Sequence, residues 1–186
     1  MARSFRSPRR RRWWLALVVL ALALLRIWYT DDGRVRHFTS TTSKASRVLQ
    51  EGVHRVQRVI DGDTLLLVGG ARVRLIGVDT PETVRPGYPV EPWGPEASEF
   101  TRQFVSAGTV RLELDRERVD RYGRYLAYVW VNDRMLNEAL LRAGLGKAML
   151  EFRYSPAKKR RFAKAEEEAR RRGLGVWSKS PHNLSR

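Results

Sequence analysis

Cysteine is absent from the chain, which removes disulfides, thiolate metal ligands and a cysteine nucleophile together. Histidine is scarce, and His37, His54 and His182 lie far apart without ligand spacing, which argues against a zinc site. Any bound metal would have to be held by oxygen. Acidic residues are missing from the first 30 positions, where seven arginines fall. No segment repeats. A length of 186 residues allows one ordinary domain, alone or with a short appendage.

What is abundant is positive charge. With 36 Lys+Arg against 20 Asp+Glu the formal net charge is +16, an excess that marks a polyanionic partner or a membrane surface. The arginine-rich start accounts for part of it, and the remaining chain is basic in its own right.

Arg9 to Arg12 run straight into the uncharged apolar stretch Trp13–Leu25, followed by Arg26, Ile27, Trp28 and Tyr29. Cations and aromatic rings at both ends fit the two interfaces of a bilayer. As a helix, residues 13–29 would measure roughly 25 Å, the short end for a span. Ala21 and Ala23 lie inside the apolar run and no Ala-x-Ala follows Tyr29, so an uncleaved signal anchor is favoured over a cleaved signal peptide. A twin-arginine export signal is a weaker reading of the same arginines. A buried helix of a globular fold is disfavoured, because the arginine block would have to be solvated beside a core. The expected organisation is a basic cytoplasmic segment 1–12, the anchor 13–29, a polar tether 30–52, a folded body 53–178 and a tail 179–186.

Within the body, residues 53–59, 64–68 and 71–76 are rich in β-branched residues, and Gly69-Gly70 joins the last two as a hairpin turn. Residues 95–105 carry apolar positions at helical spacing with Glu96 and Glu99 early. Residues 109–114 alternate cleanly as a half-buried strand, and 126–131 read as a more buried one. Two helices follow, one over 135–143 closed by Gly144 and one over 157–172 introduced by Ser155-Pro156 and stopped by Gly173. Five short strands with intercalated helices suit a small oligonucleotide-binding barrel.

Three stretches carry the chemistry. Asp61 and Asp63, two apart, share one side if the backbone there is extended, although Asp-Gly-Asp is equally a plain turn. An EF-hand start is excluded, since Leu65 holds the third ligand position and glycine is missing from the sixth. Asp79-Thr80-Pro81-Glu82 offers more oxygen donors at a strand end, or else an Asp-capped turn. Arg74, inside an otherwise apolar strand, needs an anion. That anion is either a phosphate or Glu82 in a salt bridge. In Asp120-Arg121-Tyr122-Gly123-Arg124 the ring can stack on a base and Arg124 can fork onto phosphate, unless the loop is only a solvated turn.

Taken together with GPEAS (94–98), LAY (126–128), NEALLRAGL (137–145) and VWS (176–178), these motifs make residues 53–178 resemble the staphylococcal thermonuclease family. The resemblance implies an α+β fold: a five-stranded OB-fold β-barrel with three α-helices, here preceded by the N-terminal membrane-anchor helix. It further implies Ca2+ held by Asp63, Asp79 and the Thr80 carbonyl, with Asp61 in support. Glu82 would act on the attacking water as general base or by orienting it, and Arg74 and Arg124 would clamp the phosphate. Arg121 and Tyr122 would contact substrate. Two departures stand out: residues 84–93 are proline-rich where the family is lysine-rich, and its base-stacking tyrosines have Tyr154 as their nearest match, with Phe152 or Leu150 in another place.

The expected protein is therefore a Ca2+-dependent nuclease acting as a monomer on DNA and RNA, single strands preferred, leaving 3′-phosphate ends. It would be held at the cell membrane with its nuclease domain outside the cytoplasm, or secreted after signal cleavage. The competing class is a non-catalytic nucleic-acid-binding module on the same barrel. That reading has no use for the full set Asp63, Asp79, Glu82, Arg74 and Arg124.

Overall fold

A computed structural model describes residues 48–84 and 87–178. The expected basic segment, anchor, most of the tether and the tail lie outside the described residues. No helix among those described is long and apolar enough to cross a membrane.

Five strands form the barrel: β1 (Gly52–Asp61), β2 (Thr64–Leu67), β3 (Arg72–Leu75), β5 (Thr109–Val119) and β6 (Tyr125–Val131). β1 pairs antiparallel with β2 on one side and β5 on the other, β2 with β3, and β5 with β6. Closure comes from a parallel β3–β6 pairing, Val73 opposite Tyr125 and Leu75 opposite Ala127. Local sequence pattern carries no sign of that contact, because it joins residues about fifty positions apart. Alternation does the rest: Leu65, Leu67, Val73, Leu75, Val110, Leu112, Ala127 and Val129 point inward and are essentially inaccessible. At Gly69-Gly70 both φ angles are positive, +100° and +88°, as the tight β2–β3 turn requires.

Three two-residue strands escaped the pattern, being too short to show a period: β4 (Val78–Asp79), β7 (Arg134–Met135) and β8 (Lys147–Ala148). β4 pairs with β8, which fixes the chain carrying Asp79 against a second layer. β5 runs five residues past Leu114, where its exposed Arg116-Glu117-Arg118 has no apolar stripe to announce a strand.

Helix α1 (Gly94–Phe104) lies on β1, burying Ala97, Ser98 and Thr101. Helix α2 (Leu136–Arg142) buries Leu136, Leu140 and Leu141, and α3 (Pro156–Arg171) buries Phe162, Ala165 and Ala169. Truncating a leucine such as Leu140 to alanine would cost about 2–5 kcal/mol. Buried Asn137 locks α2 to the barrel: its Oδ1 accepts from the Val129 amide at 2.9 Å, and its Nδ2 donates to the Ile76 carbonyl at 2.9 Å. Before β1, Leu49 belongs to the core and Glu51 accepts from the Leu114 amide at 2.9 Å, so packing begins ahead of the first strand.

Candidate active site

The β1–β2 turn presents two buried acids with different tasks. Asp61 accepts from the Gly62 amide (2.8 Å), the Thr83 hydroxyl (2.7 Å) and amide (3.3 Å), and the Ser98 hydroxyl (3.1 Å). It thereby ties the turn to α1 and to the segment after β4. Gly62 is required by close approach, since a Cβ there would lie 2.7 Å from Thr80 Oγ1 and 2.8 Å from Ala97 Cβ. Thr101 donates to the Gly62 carbonyl at 2.5 Å.

Asp63 faces the barrel wall instead. Its Oδ2 lies 2.6 Å from Arg74 Nη1 and 3.0 Å from the Thr80 amide, and its Oδ1 accepts from the Thr64 hydroxyl at 2.9 Å. Burial pushes its carboxyl up, against the pull of the Arg74 guanidinium.

Arg74 projects from β3 and is only 14% exposed. One arm meets Asp63 and the Val78 carbonyl at 2.6 Å, the other meets Asp79 Oδ1 at 2.7 Å. The anion it needs is therefore the Asp63–Asp79 pair rather than Glu82, and the alternative of an Arg74–Glu82 salt bridge is not what forms. Glu82 turns to Asp61. Their hydrogen bond, followed by burial, holds the Glu82 carboxyl above its ordinary range. Burial works against the Asp61 charge, but the hydrogen bonds from Glu82, Thr83 and Gly62 outweigh it and hold that carboxyl low. The Glu82 backbone is pinned by Glu91, whose Oε2 accepts from the Glu82 amide at 3.2 Å and whose amide donates back at 2.9 Å.

Across the opening stands the β5–β6 turn. Asp120 organises it, accepting from the Tyr122 amide (2.9 Å), the Arg124 amide (3.0 Å) and Arg124 Nε (2.7 Å). Burial opposes the Asp120 charge, yet these bonds prevail and hold its carboxyl low. Tyr122 is 59% exposed, with the Arg121 and Arg124 guanidiniums 4.8 and 5.4 Å from its ring centre. An open cleft of about 690 Å³ brings together Asp61, Asp63, Arg74, Asp79, Thr80, Glu82, Tyr122 and Arg124. Arg121 and Tyr154 line a neighbouring hollow of about 480 Å³ that shares Arg74, Asp79, Tyr122 and Arg124 with the cleft. Tyr154 is 7% exposed, packed on Gly77 and Phe162, whereas Phe152 presents an exposed ring.

The family model described as Staphylococcal nuclease homologue matches residues 72–179. The chain is 41% identical over 170 residues to the thermonuclease of Staphylococcus intermedius, covering 89% of this chain and 95% of that protein. It is 40% identical over 168 residues to the thermonuclease of Staphylococcus hyicus, covering 88% and 95%. With Endonuclease YncB of Bacillus subtilis (strain 168) it shares 39% identity over 137 residues, 70% of this chain and 64% of that protein. The chain belongs to the staphylococcal nuclease family. It is a nuclease, a hydrolase with an OB-fold barrel.

A nuclease of this family implies a metal, and the donor set tests the fit. Two carboxylates converge within the width of one guanidinium at Arg74, beside the buried Thr80, whose hydroxyl has no hydrogen-bond partner. These are hard oxygen donors of the kind Ca2+ takes. Among the described residues no three Asp, Glu or His side chains group as a metal cage, so a cation at Asp63 and Asp79 would complete its coordination with backbone oxygen, water or substrate. The residues fit such an ion.

Several working parts were not singled out from sequence: Thr83 and Ser98, which hold Asp61, Glu91, which pins Glu82, and Asp120, which holds Arg124. Ser98 did carry a signal, a polar residue on the buried side of α1. Glu91 carried none.

Proposed function

We propose that the protein is a Ca2+-dependent endonuclease cutting DNA and RNA, single strands preferred, by water attack at phosphorus and rupture of the bond to the 5′-oxygen. The products are a 3′-phosphate and a 5′-hydroxyl end. One observation carries this reading: Arg74 and Arg124, mounted on different strands and turns, line one cleft with Asp63, Asp79 and Glu82. Ca2+, when held by Asp63, Asp79 and the Thr80 carbonyl, supplies positive charge that draws electron density from the phosphate. Arg74 and Arg124 offer planar N–H forks to the phosphate oxygens, whose charge grows on the way to the transition state. Glu82 takes or orients the proton of the water, its carboxyl held above its ordinary range by the hydrogen bond to Asp61 and by burial. Tyr122 offers an exposed face on which an unpaired base stacks, a contact that duplex DNA denies. Arg121 extends that surface into the neighbouring hollow, where the exposed ring is Phe152 and Tyr154 forms part of the wall at 7% exposure.

Digestion of single-stranded DNA and RNA by the full chain, with Ca2+ and with chelator, tests this. Cleavage should vanish with chelator, and Glu82→Gln should lower kcat about 10²–10⁴-fold. Binding without cutting by the wild type would instead establish the non-catalytic module.

The sequence of residues 1–29 supports a signal anchor with the nuclease domain outside the cytoplasm. Mass analysis of the mature N-terminus checks it: a start after residue 23 or later would mean cleavage and secretion.

A further inference from the structure

Arg74 and Arg124 are both held by carboxylates, but the cleft contains a third arginine that is not. Arg72 sits on β3 two residues before Arg74, so the two side chains leave the same face of the strand while Val73 and Leu75 fill the barrel. It lines the same cleft and is exposed. Among the described residues no carboxylate pairs with it. Its side chain makes one hydrogen bond among the described residues, from Nη2 to the Tyr122 carbonyl at 3.2 Å. A guanidinium carries five N–H donors in a flat fork, so most of this one faces the open cleft.

Position decides what it meets. Residues i and i+2 of a strand are roughly 6.6 Å apart, and with Val73 opposite Tyr125 in the parallel β3–β6 pairing Arg72 stands level with Arg124 and one pleat away from Arg74 and its two acids. A single strand carries one phosphate per nucleotide, and a chain passing along β3 brings its next phosphate up one pleat away. We propose that Arg72 binds the phosphate adjacent to the cleaved one, and that it gives this nuclease a preference for substrates longer than a dinucleotide. The inference rests on the nuclease reading above.

The bond to the Tyr122 carbonyl supplies the competing account, in which Arg72 only braces the β5–β6 turn that carries Arg124. The two differ in what they do to a substrate with no neighbouring phosphate. The full chain as wild type, Arg72→Ala and Arg72→Lys is assayed with Ca2+ on a dinucleoside monophosphate and on a single-stranded oligonucleotide. Arg72→Ala should raise KM for the oligonucleotide about tenfold, the loss of one charge-assisted contact, with kcat within about twofold. Its kcat/KM on the dinucleoside monophosphate should stay at the wild-type value. The slope of log kcat/KM against log salt should become shallower by about 0.7–1, and Arg72→Lys should restore most of it. Equal losses on both substrates, or a fall in kcat with KM unchanged, would leave only the brace and overturn the proposal. If the wild type cut neither substrate, the nuclease reading itself would fall, a result separate from any difference between variants.

Discussion

Arg74 and Arg124 flank one cleft, yet they are built into the molecule in opposite ways. Arg74 is an element of the barrel wall, 14% exposed and bonded to Asp63 in the β1–β2 turn and to both Asp79 and the Val78 carbonyl on β4, so that it joins two other segments. Arg124 stands at the end of a turn and is held by Asp120, four residues away, within a loop whose Tyr122 is 59% exposed. Anchoring across separate elements, through the buried Asp63 of the β1–β2 turn, ties the first guanidinium to the stability of the fold. Anchoring within one turn leaves the second free of that tie, because its carboxylate partner Asp120 belongs to the same turn.

If that contrast holds, removing Arg74 should have the largest effect. Arg74→Ala leaves two acids without their cation, one of them buried, and should destabilise the protein by about 3 kcal/mol while lowering kcat about 10²–10³-fold. Chemical denaturation and initial rates on one preparation check both. Arg124→Ala should lose as much in kcat with a denaturation midpoint near that of the wild type. A large stability loss there would erase the distinction between the two arginines. Asp120→Asn, which loosens Arg124 without removing it, should lower kcat/KM about tenfold, one charge-assisted bond's worth.

The smallest effect on cleavage belongs to Asp115, on the far side of the hollow, and it sharpens the comparison through pH. Its Oδ2 accepts from the Tyr128 hydroxyl at 2.6 Å and the Ser155 amide at 2.9 Å, stitching β5 to β6 and to the start of α3. Burial opposes its charge, but these bonds and the Arg116 amide hold its carboxyl below the ordinary 3.8. A depressed folded value means stability that is fully present above that ordinary value and lost as pH falls through the folded one. Asp115→Asn should therefore be less stable than the wild type by about 1–3 kcal/mol at neutral pH. The gap should close progressively below about pH 4 in acid titrations followed by circular dichroism.

Much of this was legible in the chain itself. The β2–β3 hairpin could be placed because Gly69-Gly70 is punctuation with a mechanism, and α3 because Ser155-Pro156 and Gly173 bracket it. The acids and arginines of the cleft could be named because their types are rare in apolar strands and recur in the family's motifs. Which of them touch could not be read. Arg74 pairs with Asp63 and Asp79 and leaves Glu82 to Asp61, a choice set by the β2–β3 register, which puts Arg74 opposite Thr64 and so beside Asp63. Tyr154 sits packed against Phe162 and Gly77 while Phe152 is exposed, because β8 and the entry to α3 fix the twist of the segment between them.

Composition, turn residues and two short periodicities settled the kind of elements, the oxygen-only chemistry and the cast of charged groups, since each of these is a property of neighbours along the chain. The meeting of β3 with β6, the division of labour between Asp61 and Asp63, and the convergence of Arg72, Arg74 and Arg124 on one cleft were decided by tertiary structure. They depend on contacts between residues far apart in the chain, whose geometry exists only once the barrel has closed.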